Sequence, residues 1–229
     1  MAEKALIIGA GEGLSASIAR LFASEGMQIG LAARNVEKLH GLAAETHART
    51  YACDVTNEAE VVDLFDAFDR EIGSPDIVVY NPSARARGPI TEVDATATKN
   101  ALLVTAYGAF LASQQAARRM LKAGAGTLLF TGASAGIKGY PRSAPFAMGK
   151  FALRGLCQSL ARELAPQNIH VAHFVIDGQI FNSRRGAPYN DPATTLDPDA
   201  IARTYLHIAR QDSSAWTWEI ELRPSVETF

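Results

Sequence analysis

The sequence predicts a three-layer α/β domain, a parallel sheet with helices on both faces. Three observations carry this. Short apolar runs of strand length alternate with amphipathic segments of helical period along the chain. The strands read as nearly continuous apolar stretches, the mark of a sheet buried on both sides. Finally, 229 residues suit one large α/β domain, 1–229, with no need for a metal or disulfide to support its core. Right-handed crossovers make the doubly wound arrangement the natural solution, with ligands beyond the C-terminal strand ends.

The elements follow in order. An apolar strand at 5–8 runs into glycines, and a helix over 14–24 carries Leu14, Ile18, Leu21 and Phe22 at helical spacing before Gly26. A strand at 29–33 is followed by a helix at 36–45, and a strand at 50–53 by a helix at 58–70. The fourth strand, 77–80, closes on Asn81-Pro82-Ser83, which is turn chemistry. One long helical region, with room for a kink, spans 92–120. Gly124 and Gly126 precede a strand at 127–131, and a helix at 144–163 stops before Pro166. The sixth strand is 170–176. Residues 178–198, rich in Gly, Pro, Asn and Asp, read as a substrate-side loop or lid. A helix at 199–210 and a strand at 216–222 finish the chain.

Composition excludes several classes. A formal net charge of -2 and no Lys/Arg cluster give no nucleic-acid footprint. No apolar run approaches the ~18 residues of a membrane span. The chain enters a strand at once, without a signal peptide, so a cytoplasmic location is expected. Cys53 and Cys157 stand far apart and read as core residues in a reducing compartment, and the five histidines show no metal-ligand spacing.

The chemistry-bearing motif is Gly9-Ala10-Gly11-Glu12-Gly13-Leu14-Ser15, between the first strand and first helix. Its glycines allow a tight turn and keep side chains away from a pyrophosphate resting on the helix N-terminus. At the end of the second strand, where NAD sites carry an acidic residue for the ribose hydroxyls, the sequence is Ala33-Arg34-Asn35. The guanidinium of Arg34 suits a 2′-phosphate, which favours NADP over NAD. Asp54 and Val55, after the third strand, are placed to meet the adenine edge, and Asn81 to support the neighbouring strand end.

On these residues the chain resembles the short-chain dehydrogenase/reductase family over 4–222. The resemblance implies a single-domain Rossmann fold with a seven-stranded, mostly or wholly parallel sheet. It also implies hydride exchange between NAD(P) and an alcohol or carbonyl compound, and a homodimer or homotetramer. The family's glycine motif falls on Ile8 to Ser15, its adenine-contacting aspartate on Asp54, and its Asn-Asn-Ala-Gly segment on Tyr80-Asn81-Pro82-Ser83. Its catalytic serine falls on Ser134 and its Tyr-xxx-Lys pair on Phe146 and Lys150. Its helix asparagine aligns near Thr105, and its Pro-Gly after the sixth strand becomes Asp177-Gly178, which makes Gly178 a cofactor-side position.

Phe146 decides what chemistry remains. Charge developing on a carbonyl oxygen needs a donor or a proton, and a benzyl group supplies neither. Lys150 can hold ribose hydroxyls and Ser134 a substrate oxygen. Tyr140, between Ser134 and Phe146, is the first candidate for the missing acid, ahead of Tyr107. Three outcomes stay open: an NADP(H)-dependent oxidoreductase with an atypical site containing Ser134, Tyr140, Phe146 and Lys150, a cofactor-binding or regulatory homologue without turnover, or a non-redox reaction in the same pocket, for which no nucleophile–base pair or carboxylate dyad is visible. Arg85, Arg87, Arg142, Arg184 and Arg185 lie on the loops of the expected substrate region, where they either favour an anionic small molecule or simply point into water.

Overall fold

The computed structural model describes residues 2–227. Seven strands, β1 (Lys4–Ile8), β2 (Gln28–Ala33), β3 (Arg49–Ala52), β4 (Ile77–Tyr80), β5 (Gly126–Thr131), β6 (Ile169–Ile176) and β7 (Glu219–Leu222), form one sheet in the order β3-β2-β1-β4-β5-β6-β7. Every pairing is parallel. The doubly wound fold expected from the apolar runs is therefore the fold observed.

Alternation along the strands builds the two cores. Ala5 and Ile7 of β1, with Ile77 and Val79 of β4, face one layer with Ile18 and Phe22 of α1 (Leu14–Ser24). That layer also holds Leu42 of α2 (His40–Thr46) and Ile201 and Tyr205 of α7 (Pro198–Ala209). Leu6, Ile8, Val78 and Tyr80 face the other, with Phe65 and Phe68 of α3 (Glu58–Glu71), Ala101 packing nearby in α4 (Ala95–Leu102), Ala112 and Ala116 of α5 (Gly108–Ala123), and Leu153 and Cys157 of α6 (Ala144–Leu164). Side-chain caps start three of these helices. Asn57 accepts from the Ala59 amide (3.1 Å), Asp94 from Ala97 (2.6 Å) and Asp197 from Asp199 (3.0 Å).

Some boundaries moved. The region expected as one helix over 92–120 starts at Ala95, runs to Ala123, and is interrupted by a π turn at Leu103–Tyr107. A wide turn shifts the helical phase of everything after it, which the 3.6-residue pattern cannot register. The helix expected over 36–45 opens as a 3₁₀ turn at Glu37–Leu39. The last strand begins at Glu219, because Trp216 stacks flat on His170 (4.7 Å between centroids) and bends the chain there. Apolar aromatic content had made 216–218 look like strand.

β7 is held to α6 through a buried polar set. Arg154 donates to both carboxylate oxygens of Glu219 (2.7 Å each), and His173 Nδ1 lies 3.0 Å from Glu219 Oε2. Burial pushes the His173 imidazole down to about 4, overcoming the opposing pull of Glu219. Its other ring nitrogen has no hydrogen-bond partner among the described residues. An unfolded chain whose histidine titrates near 6.5 takes up a proton that the folded one refuses, so this site lowers stability as pH falls from 6.5 towards 4. Urea denaturation at pH 7, 5.5 and 4.5 should show that decline in wild type and a shallower one in His173→Gln. Parallel pH profiles would remove His173 as the cause.

Candidate active site and cofactor cleft

β1 pairs with β2 on one side and β4 on the other, so the chain reverses direction across the sheet at this point. A crevice at such a switch point is where doubly wound folds bind ligands. A cavity of about 950 Å³ opens there, at the upper end of the roughly 300–1,000 Å³ range of small-molecule sites. Gly9, Gly11, Glu12, Gly13, Leu14, Arg34, Asn35, Asp54, Val55 and Asn81 all line it.

The floor is built by backbone economy. Gly9 has φ +79°, and a Cβ there would meet the Pro82 nitrogen at 2.7 Å, so the chain can pass only without a side chain. Asn81 Nδ2 donates to the Gly9 carbonyl (3.3 Å), joining the ends of β4 and β1. Ser15, in place of a family glycine, is buried, and its hydroxyl oxygen accepts from the Gly11 amide (3.0 Å). The substituted side chain thus closes the loop on itself instead of intruding. Gly13 leads into α1 without a side-chain cap, so amides at the helix start remain open to an anion.

The adenosine end is polar. Asp54 Oδ1 accepts from both the amide and the hydroxyl of Thr56 (2.9 and 2.8 Å). The Thr56 amide, against the effect of burial and helped by its hydroxyl and by Arg34, holds the Asp54 carboxyl below its ordinary value. Arg34 is exposed at the cavity rim, beside Asn35 and Lys38.

Outside the cavity's lining, against the end of β5, Lys150 is 2% exposed and donates to the Thr131 carbonyl (2.7 Å). An ammonium has three donors, and no other protein acceptor takes one among the described residues. Burial pushes its pKa down to about 7, Arg85 adding to the effect and Cys157 opposing it. Tyr140 donates its hydroxyl hydrogen to Ser134 Oγ (3.0 Å), and the Lys138 ammonium lies 5.7 Å from the centre of its ring. Phe146 lies between two cations, Arg85 at 4.1 Å and Lys150 at 5.8 Å from its centroid. Tyr107 is not part of this group. It is exposed and stacked on Phe110.

The structure therefore joins Ser134 to Tyr140 and Phe146 to Lys150, and gathers ten cofactor-side positions in one cavity. Lys150, Ser134, Tyr140 and Phe146 lie outside that lining, and so does Gly178. With φ +143°, a Cβ there would lie 2.8 Å from Leu196 and 2.9 Å from Pro224, so the position answers to local packing. Phe181 and Asn182 line the cavity although no sequence signal marked them, since the path of 178–198 depends on tertiary contacts. One is a clasp of Arg184 on Glu12, which joins this segment to the glycine loop. Another is the parallel bridge from Ile180 to Leu196.

These residues fit a dinucleotide: a glycine floor, an uncapped helix start, a cationic rim and a buried cation with unspent donors. A family model described as short chain dehydrogenase matches residues 3–178. The chain belongs to the short-chain dehydrogenase family. An uncharacterized oxidoreductase of Staphylococcus aureus strain MW2 is 28% identical over 223 residues, 96% of each protein. A D-threitol dehydrogenase of Mycolicibacterium smegmatis is 30% identical over 172 residues, covering 73% of this chain and 66% of that protein. A short-chain dehydrogenase from Rhodopseudomonas palustris superposes with a TM-score of 0.84 at 35% identity, over 97% of this chain and 98% of that one.

Among the described residues no group of three or more His, Cys, Asp or Glu is placed to hold a metal ion, and no helix is long and apolar enough to cross a membrane.

The buried ammonium makes a testable contribution to stability. Its folded pKa of about 7 lies below the ordinary 10.5, so between these values the unfolded chain holds a proton that the folded chain has released. The penalty of Lys150 is thus largest below pH 7 and fades as pH rises towards 10.5. In cofactor-free protein, Lys150→Met should gain stability over wild type at pH 6, and the gain should shrink by at least about 1 kcal/mol by pH 9. Urea denaturation at both pH values measures it; an equal difference at the two would contradict the titration.

Proposed function

We propose that the protein is an NADP(H)-dependent oxidoreductase of a small carbonyl or alcohol substrate, in which Tyr140 takes the acid–base role that Phe146 cannot fill. The observation that carries this reading is the 3.0 Å hydrogen bond from Tyr140 to Ser134. It puts an ionisable hydroxyl in contact with the serine that would meet the substrate oxygen.

When bound, the nicotinamide cofactor exchanges hydride with the substrate carbon. The protein's part is to hold reactants and manage the proton. Lys150 holds ribose hydroxyls with the donors that Thr131 leaves free, and Arg34 meets the 2′-phosphate at the rim. Ser134 donates to the substrate oxygen as negative charge develops, and Tyr140 in turn delivers a proton to Ser134. The Lys138 ammonium lies 5.7 Å from the centre of the Tyr140 ring. Tyr140 is 40% exposed, so water can restore its proton. The segment 178–198 acts as a lid, clasped to the glycine loop through Arg184 and Glu12.

The exposed aromatic surface of α5 and α6 supports self-association. Phe110 and Phe151 are 44% and 45% exposed, near Tyr107 and Met148 in sequence. A second copy of the chain, in a homodimer or homotetramer, is the partner that would cover such a surface.

Three outcomes test the reading. Wild type should oxidise NADPH with a carbonyl substrate, and Tyr140→Phe should lower kcat by about 10²- to 10⁴-fold with the NADPH Kd unchanged. Retention of full activity would remove Tyr140 from the mechanism. Phe146→Tyr should not raise the rate. Arg34→Ala should weaken NADP binding by about 10- to 150-fold, the worth of a hydrogen bond to a charged group, while leaving NAD binding as it was. Fluorescence titration with both cofactors decides this, and equal losses for the two would assign Arg34 another role.

A further inference from the structure

The replacement at Phe146 has acquired a partner of its own. Arg85, on the segment after β4, places its guanidinium carbon 4.1 Å from the Phe146 ring centroid. At that distance a guanidinium lies against the ring face, with its N–H groups directed outward around its edge. The Gly88 amide donates to the Arg142 carbonyl (3.1 Å), which pins the segment carrying Arg85 and Arg87 against the approach to α6.

The charges around this pair are unbalanced. The Arg85 guanidinium is pushed below its ordinary pKa, first by burial, then by Arg87 and Arg185, with Tyr189 acting in the opposite sense. Arg185 itself lies 5.3 Å from the Tyr189 ring centre. None of the side chains of Arg85, Arg87 and Arg185 has a carboxylate or hydrogen-bonding acceptor among the described residues. Lys150 adds a further positive charge on the same ring. A cleft with this many uncompensated cations draws an oxyanion, and a flat guanidinium fork is the group that binds one in two places.

We propose that Arg85, held flat on Phe146, is the anchor for a carboxylate or phosphate carried by the substrate, with Arg87 and Arg185 supplying the attracting field. Phe146 then has a positive role: its ring supports the Arg85 guanidinium over its face. Lys150 is one helical turn from Phe146 and its ammonium lies 5.8 Å from the same ring, so the anchored anion would bind beside Lys150. The substrate class is a short oxo or hydroxy acid, or its phosphorylated counterpart. This inference rests on the reading of the cleft as a reduction site, but the anchor can be tested apart from turnover.

Oxalate and inorganic phosphate serve as probes, titrated by calorimetry into the protein with and without NADP. One or both should bind wild type at low ionic strength, with affinity falling as salt rises. Arg85→Gln should lose about tenfold or more, and Arg85→Lys, which keeps the charge but not the fork, should fall between. Tighter oxalate binding assigns the anchor to a carboxylate, and tighter phosphate binding to a phosphate. Binding of neither probe, or equal binding by wild type and Arg85→Gln, overturns the anchor. Circular dichroism checks the Arg85→Gln fold; if it is lost, Arg85→Lys carries the comparison. A kinetic arm compares short 2-oxo acids with their methyl esters as NADPH oxidants. Esters turned over as efficiently as acids would overturn the anchor and keep the reductase reading. Arg85-dependent anion binding with no NADPH oxidation by any carbonyl compound would keep the anchor and overturn the reductase reading.

Discussion

The hydrogen bond from Lys150 Nζ to the Thr131 carbonyl, 2.7 Å long, joins α6 to the C-terminal end of β5 and holds a cation where almost no water reaches. An ammonium in that place is costly unless its donors are used. One is satisfied by backbone, and no acceptor takes the others among the described residues. Everything at this end of the domain is arranged around that charge: the ring of Phe146 one turn earlier, the arginine on that ring, and Ser134 just past the strand that supplies the carbonyl.

The departures from the family pattern are locally consistent. Ser15 bonds Gly11 instead of leaving a void. Pro82 fits against the positive-φ turn at Gly9. Thr105, where the family has asparagine, sits inside the π turn and accepts from the Ala84 amide (3.3 Å). Asp177 is buried with Arg223 at 3.2 Å and Lys138 at 3.9 Å. Each replaced group has found a partner suited to its chemistry, which is how a divergent site keeps the fold while its reacting groups change.

The same logic separates the two faces of the sheet. Towards α1 and α7 the contacts are apolar or aromatic, as in the stacking of Phe174 on Tyr205 (3.6 Å), and they set stability. Towards α6 the layer admits Lys150, His173, Glu219 and Arg154, polar groups buried at a cost the apolar core offsets. Reactive groups cluster on that side and beyond the strand ends, where loops can vary without disturbing the core.

The parallel sheet, the helices on its two faces and the glycine turn were legible in the residues themselves, whereas the strand order was read only from the folded chain. Period-2 and period-3.6 apolar patterns depend on local geometry, and a tight turn needs glycine wherever it occurs. That Arg34, Asp54 and Asn81 line one cavity was legible for the same reason: each sits at a strand end, and a parallel sheet brings strand ends together. The π turn was hidden because one wide turn leaves no mark in composition. The late start of β7 was hidden because Trp216 left the strand for His170, 46 positions away. Sequence alone determined that Phe146 cannot give a proton. Only the tertiary structure decided what surrounds it, because Arg85 and Phe146 lie 61 positions apart and meet through folding of separate loops. Tyr140 and Ser134 are near neighbours in the chain, yet their hydrogen bond depends on how the loop before α6 turns back over the end of β5.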